Sequence, residues 1–237
     1  MNLTDTPSKN GRTLLDRPTY NASEVGRLAG LKSDRVRRWL RGYSYSHAGE
    51  VHRQEPVIRR SEERTTAKYA SFLELVDLLF VKEFLDEGIS LQQLRRALSE
   101  AADLLGVAHF ARQVFFTEGR RIHLEVGRKG GKALLQLQSG GQWVIAPVIL
   151  ELAKRIEFDE TSQLATRWYP RGQTGRIVVD PAIAFGQPTI AGHGIATANV
   201  FDLYQAEGGD IEAVCSWWGL DRDEAEAAVE FERGLAA

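Results

Sequence analysis

Apolar residues recur along this chain at two different periods, and the change of period divides it. Residues 1–19, rich in Thr, Ser, Asn, Gly and Pro, show no period and are expected to form a flexible N-terminus. Order is predicted from Tyr20 onward. Val25, Leu28 and Ala29 follow the i, i+3, i+4 spacing of a short helix with Ser23 as its cap and Gly30 as its stop. Leu31 then reads as a buried plug, and Ser33 as the cap of a second helix over Asp34–Arg41 that turns Val36 and Leu40 inward and ends at Gly42. Residues 43–60 are polar and turn-rich, with Pro56-Val57-Ile58 as a short strand, a pattern that suits a wing or hairpin. Residues 71–87 form a strongly periodic helix with Phe72, Leu75, Val76, Leu79, Phe80 and Phe84 toward the core. Gly88 breaks it, and Ser90 caps a further helix carrying Leu91, Leu94, Leu98 and Leu105.

From Val107 the period becomes alternating, predicting hairpins around Glu118-Gly119 and Ser139-Gly140-Gly141. Gly172-Gln173-Thr174-Gly175 reads as a linker. Beyond it come a strand at Ile177-Val178-Val179 and three helices near 197–207, 210–218 and 221–234. The expected fold is α+β and mainly helical: a winged helix-turn-helix over 20–106, a β-rich middle segment over 107–171, and a strand-plus-three-helix domain over 176–237.

Composition narrows the class. A chain of 237 residues with 43% hydrophobic and 26% charged side chains can bury a large core. No run approaches the roughly 18 uncharged apolar residues of a membrane span, and the N-terminus has no export-type apolar region. The single Cys215 suits a reducing compartment, so a cytoplasmic protein is expected. The net charge of -2 conceals a segregation. Eleven Lys and Arg face six acids over residues 20–68, a local +5, whereas two Arg face ten acids over 200–237, a local -8. The first region suits a polyanion and the second repels one.

The first helix pair carries the candidate chemistry. Two short helices joined by a glycine-containing turn, the second rich in outward arginine, is the pattern in which the second helix enters a DNA major groove. With Val36 and Leu40 inward, Ser33, Arg35, Arg37, Arg38 and Arg41 project outward or flank that face, offering donors to phosphates and guanine edges. The bland alternative is a solvated helical hairpin. Tyr20-Asn21-Ala22-Ser23-Glu24-Val25-Gly26-Arg27-Leu28-Ala29-Gly30-Leu31, with Val36-Arg37-Arg38-Trp39, resembles the start of MerR-like winged-helix regulators. Phe84-Leu85-Asp86-Glu87-Gly88-Ile89-Ser90-Leu91-Gln92-Gln93-Leu94 resembles that family's second helix pair. The resemblance implies DNA contact through Arg37, Arg38 and Trp39 and through Arg59 and Arg60 of the wing. The family's long dimerisation helix is missing here.

Arg176-Ile177-Val178-Val179-Asp180-Pro181 and Phe185-Gly186-Gln187-Pro188-Thr189-Ile190-Ala191-Gly192-His193-Gly194-Ile195 resemble the prokaryotic domain of unknown function 433, with Gly194 where that family usually has arginine. A MerR-like reader followed by this domain resembles the VapB-type antitoxins. That resemblance implies operator DNA, a PIN-domain ribonuclease toxin and a homodimeric partner as binding partners, and repression of the protein's own operon. The acidic face around Asp210, Glu212, Asp221, Asp223, Glu224 and Glu226, with Trp217 and Trp218 as anchors and Arg233 beside them, is the candidate toxin surface. Both tryptophans could equally fill the three-helix core.

Other chemistry has little footing. His47, His52, His109, His123 and His193 are scattered, so no metal is expected, and no cofactor either. Arg128-Lys129-Gly130-Gly131-Lys132 lacks the spacing of a phosphate loop. A hydrolase built on Asp180 and His193 has no recognisable nucleophile and base, so no enzyme is expected. The competing reading is a stand-alone MerR-like regulator whose β-rich middle binds a small effector.

Overall fold

The computed structural model describes residues 14–58, 60, 68–95, 98–99, 109, 111 and 147–236. Within these the fold is mixed α and β. A 3₁₀ turn at Leu14–Asp16 leads to strand β1 (Tyr20–Asn21). Helices α1 (Ala22–Ala29) and α2 (Ser33–Arg41) follow, then a hairpin of β2 (Tyr43–His47) and β3 (Glu50–Gln54). Strand β4 (Tyr69–Ala70) pairs back with β1, and helix α3 (Phe72–Asp86) follows it. Next come α4 (Pro147–Lys154), β5 (Ile156–Phe158), β6 (Ala165–Trp168), β7 (Ile177–Val179) and β8 (Pro188–Ile190). Three helices finish the fold: α5 (Thr197–Ala206), α6 (Ile211–Trp218) and α7 (Arg222–Ala236).

Local chemistry sets the boundaries. The cap of α1 is Asn21, not Ser23: the Asn21 carboxamide accepts from the Ser23 and Glu24 amides, and the Glu24 carboxylate accepts from the Asn21 amide at 2.7 Å. Helix α2 begins at Ser33 itself, after Lys32, so Ser33 is its first residue and not its cap. Gly30 ends α1 in the left-handed conformation (φ 65°), as the sequence pattern predicted. Ser71 and Glu74 form a capping box on α3.

Residues 14–19 are tied down rather than loose. Leu15 packs on the main core, and the Thr19 amide donates to the Ala70 carbonyl at 2.8 Å. Pro56–Ile58 is not a strand. The stretch instead holds the β2–β3 hairpin, whose Ala48 and Gly49 both take positive φ in a two-residue turn, and Val57 and Ile58 are core residues. The predicted strands at 114–116, 122–126, 135–137 and 143–145 lie outside the described residues. The described end of that segment begins with the helix α4.

Strands β5, β6, β7 and β8 form one four-stranded antiparallel sheet in that order. Residues 172–175, read from the sequence as a linker, therefore connect two neighbouring strands of a single sheet. The cores follow the same logic. One joins Val25, Val36, Trp39, Leu75 and Leu79 to Ile156, Trp168 and Val179, and a second joins Ile177, Ile190, Val200, Val214 and Phe231. Leu28 of α1 packs against both.

Candidate nucleic-acid and partner interfaces

On α2 the apolar side chains Val36, Trp39 and Leu40 are buried, which leaves Arg35, Arg37 and Arg38 exposed and Arg41 at the edge. Arg37 pairs with Asp34 at 2.5 Å, one helical turn away, both side chains being at least half exposed. Such a pair contributes about 0–1 kcal/mol and can be exchanged for a phosphate. The Arg35 guanidinium lies 6.0 Å from the Trp39 ring and that of Arg38 5.4 Å from the Tyr43 ring. Among the described residues, Arg35, Arg38 and Arg41 have no ionic partner. The guanidinium row is thus held by ring contacts and remains open to an anion.

The hairpin extends this surface. Tyr43, Tyr45 and His47 alternate with Ser44 and Ser46, so the three rings share one face. His52 opposite Tyr45 stacks on it at 5.3 Å, with Tyr43–Tyr45 at 6.1 Å and His47–His52 at 6.3 Å. Gly42 makes the junction with α2 possible: at φ 72° a side chain is strained, and a methyl there would sit 2.3 Å from the Gln54 carbonyl oxygen. Apolar spacing gives no hint of these rings, because neither strand is buried. The alternation Tyr-Ser-Tyr-Ser-His was the available signal.

Two predicted DNA contacts are placed elsewhere. Trp39 is 4% exposed and fills the core, its role being to carry Arg35 on its ring. Arg60 is buried: its Nε and Nη2 donate to the two Glu74 oxygens at 2.8 and 2.9 Å, and Nη2 also donates to the Tyr69 carbonyl at 2.8 Å. It braces the start of α3 and does not reach solvent. Arg59 lies outside the described residues.

A second buried acid on α3, beyond what the apolar period predicts, is Asp77. Asp77 accepts from the Ala111 amide at 2.7 Å and pairs with His109 Nδ1 at 2.8 Å, while His109 Nε2 lies 3.7 Å from Asp16. Two acids three residues apart in Phe72–Val81, an otherwise apolar run, announce such partners.

In the C-terminal part the adjacent tryptophans have different fates. Trp218 packs against the second core, whereas Trp217 is 75% exposed beside a shallow groove walled by Leu203, Glu207, Ala213 and Ser216. The acids are partly spent internally. Arg176 lies 3.1 Å from Asp221, 3.5 Å from Asp223 and 3.4 Å from Glu224, and His193 Nε2 lies 3.2 Å from Glu224. Asp221 and Glu224 also cap α7 reciprocally, and Arg222 bridges Glu212 and Glu226. Arg233 of α7 stacks on Tyr204 of α5 at 5.1 Å and donates to its hydroxyl at 3.0 Å. Glu207 is thus the charged residue that shares the groove with Trp217, while Asp221, Asp223 and Glu224 are drawn to Arg176 and Glu212 and Glu226 to Arg222.

Asp180 and His193 are occupied separately. Asp180 accepts from Arg167 at 2.6 Å and from the Ala182 amide at 2.8 Å, while His193 faces Glu224. Burial, reinforced by Glu212, pushes the Cys215 thiol up, which keeps it protonated and a poor nucleophile. Among the described residues no three His, Cys, Asp or Glu side chains are placed to hold a metal ion, and no helix is long and apolar enough to cross a membrane.

Known proteins resemble this arrangement at two levels. Residues 177–231, from β7 into α7, match the family described as "Protein of unknown function (DUF433)". Over nearly its whole length the chain is similar to "Putative antitoxin VapB45" of Mycobacterium tuberculosis, at 22% identity across 91% of this chain and 94% of that protein. The crystal structure of Rv2018 from the same organism superposes with a TM-score of 0.67 at 19% identity, covering 91% of this chain and 98% of that one. This last likeness concerns the fold.

Proposed function

We propose that this chain is the antitoxin of a type II toxin–antitoxin pair, which neutralises a PIN-domain ribonuclease by direct binding and represses its own operon by binding DNA as a homodimer. The DNA half of the reading is carried by one observation: Arg35, Arg37 and Arg38 stand exposed on α2 beside an aromatic hairpin, as in a winged helix-turn-helix. Similarity along almost the whole chain to a protein whose name calls it an antitoxin supports the other half. In this reading α2 enters the major groove, Arg38 and Arg41 meet phosphates, and the Tyr43–Tyr45 face follows the backbone. Trp217 is the aromatic anchor for the toxin, seated at the α5–α6 groove.

The test uses duplex DNA from the chain's own upstream region and the ribonuclease encoded beside it. Arg35→Ala with Arg38→Ala is expected to weaken duplex binding at least tenfold and to lower the salt slope by about two. Trp217→Ala is expected to weaken the ribonuclease complex by about 30-fold, leaving the thermal midpoint of the free chain unchanged. Unaltered DNA binding in the double variant overturns the α2 assignment. A chain that binds the duplex but no adjacent ribonuclease favours the lone regulator instead.

A further inference from the structure

A cavity of about 310 Å³ opens where α1, α3, α4, the end of β6 and α7 meet, away from both the α2 arginines and Trp217. Its charge is one-sided. Arg27, Lys82, Arg155 and Arg171 line it against a single acid, Glu83. Lys82 is already matched by Asp86 at 2.6 Å, and Arg27 faces Glu232 at 3.8 Å. Arg155 and Arg171, in contrast, have no ionic partner among the described residues.

Two further observations aim this chemistry at a ligand. The Trp168 indole, another wall of the cavity, is 5% exposed, and among the described residues its Nε1 has no hydrogen-bond acceptor. A buried N–H without an acceptor costs about 1–3 kcal/mol and is seldom retained without a use. The backbone also brings the two arginines to one place. The Tyr169 amide donates to the Arg155 carbonyl at 2.7 Å, which brings the Arg155 backbone beside the segment that carries Arg171. The Arg171 guanidinium lies against α7, where a methyl on Gly234 would be 3.0 Å from Nη2. The remaining walls, Leu79, Leu152, Phe231 and Leu235, are apolar.

We propose that this cavity binds a small organic phosphate, its phosphoryl oxygens taken by Arg155, Arg171 and the Trp168 indole N–H and its apolar body by the Leu79–Phe231 wall. A planar guanidinium meets a phosphate through two parallel N–H donors, and two guanidiniums match its double charge better than they match a monocarboxylate. Because α1 and α7 both wall the cavity, the occupant bridges the two halves of the fold. This assignment stands independently of the antitoxin reading.

The experiment is calorimetric titration of the full chain with phenyl phosphate, inorganic phosphate and benzoate at matched ionic strength, with the thermal midpoint followed in parallel. Phenyl phosphate is expected to bind saturably and to raise the midpoint, at least tenfold more tightly than benzoate and more tightly than inorganic phosphate. Arg155→Gln with Arg171→Gln, both at exposed side chains, is expected to lower its affinity at least tenfold. Trp168→Phe, which keeps the ring and removes the N–H, should lower it several-fold. Circular dichroism checks that each variant is folded. No saturable binding of phenyl phosphate, or equal affinity in the folded double-arginine variant, overturns the proposal.

Discussion

Glu74 and Asp77 set the residue-scale character of α3, because each carries a carboxylate into a helix face that water does not reach. Each is tolerated only through a dedicated partner. Arg60→Ala strips Glu74 of its guanidinium and is expected to destabilise the chain by about 3–5 kcal/mol, read from the urea midpoint. Asp77 depends instead on a titratable partner. Burial opposes charge on His109, yet the Asp77 and Asp16 carboxylates outweigh it and raise its pKa to about 10. A folded pKa above the unfolded value of about 6.5 places the full stabilisation below that pH and removes it as pH climbs through 10. The urea midpoint of the wild type should therefore fall between pH 7 and pH 10. His109→Gln should start lower at pH 7 and change less, and a wild-type midpoint that stays flat over this range counts against a charged His109.

At the scale of elements, α2 and its hairpin act as one unit because Gly42 lets the chain turn against Gln54. Gly42→Ala combines a left-handed backbone position with a 2.3 Å approach to a carbonyl oxygen. It is expected to cost at least about 1–3 kcal/mol and to weaken duplex binding, because the hairpin shifts relative to α2. Thermal melts and anisotropy titrations check the two effects separately. How far the sequence told this story depended on burial. The helices of the N-terminal pair and α5 to α7 were readable because each hides one stripe, as Val36 and Leu40 do, and α3 because its apolar run over Phe72–Val81 is buried on every face. The hairpin strands hide neither face, so apolar spacing had nothing to mark, and Val57-Ile58 drew the strand assignment by being the local apolar pair. Caps failed similarly: Asn21 and Ser23 are both good cap residues, and only the reciprocal bond from Glu24 selects the first. For the candidate site, exposure of the arginines followed from helical period, but the inward turn of Arg60 required knowing that Glu74 is buried.

Across the whole molecule, the N-terminal helices and the C-terminal part are joined by a few polar contacts over shared core. The Tyr20 hydroxyl donates to the Gly186 carbonyl at 2.8 Å, Arg27 faces Glu232, and Glu232 is buried against the Thr197 hydroxyl. Tyr20→Phe is expected to cost about 1 kcal/mol. Gly186→Ala should cost more, since its methyl would meet the Tyr20 oxygen at 2.2 Å and the position has φ 75°. With the hydroxyl gone the clash eases, so the double variant should lose less than the sum of the two. Strict additivity in denaturation would count against the contact.

The sheet that runs from β5 through β8 also governs how the gene can be cut. A clone begun at residue 176 carries off β7 and β8, leaving Trp168 without its opposite number Val179 and the β6 edge bare. The upstream product would then display unpaired backbone to its own kind and drop out as aggregate, whereas a cut between α4 and α3 spares every rung of that ladder.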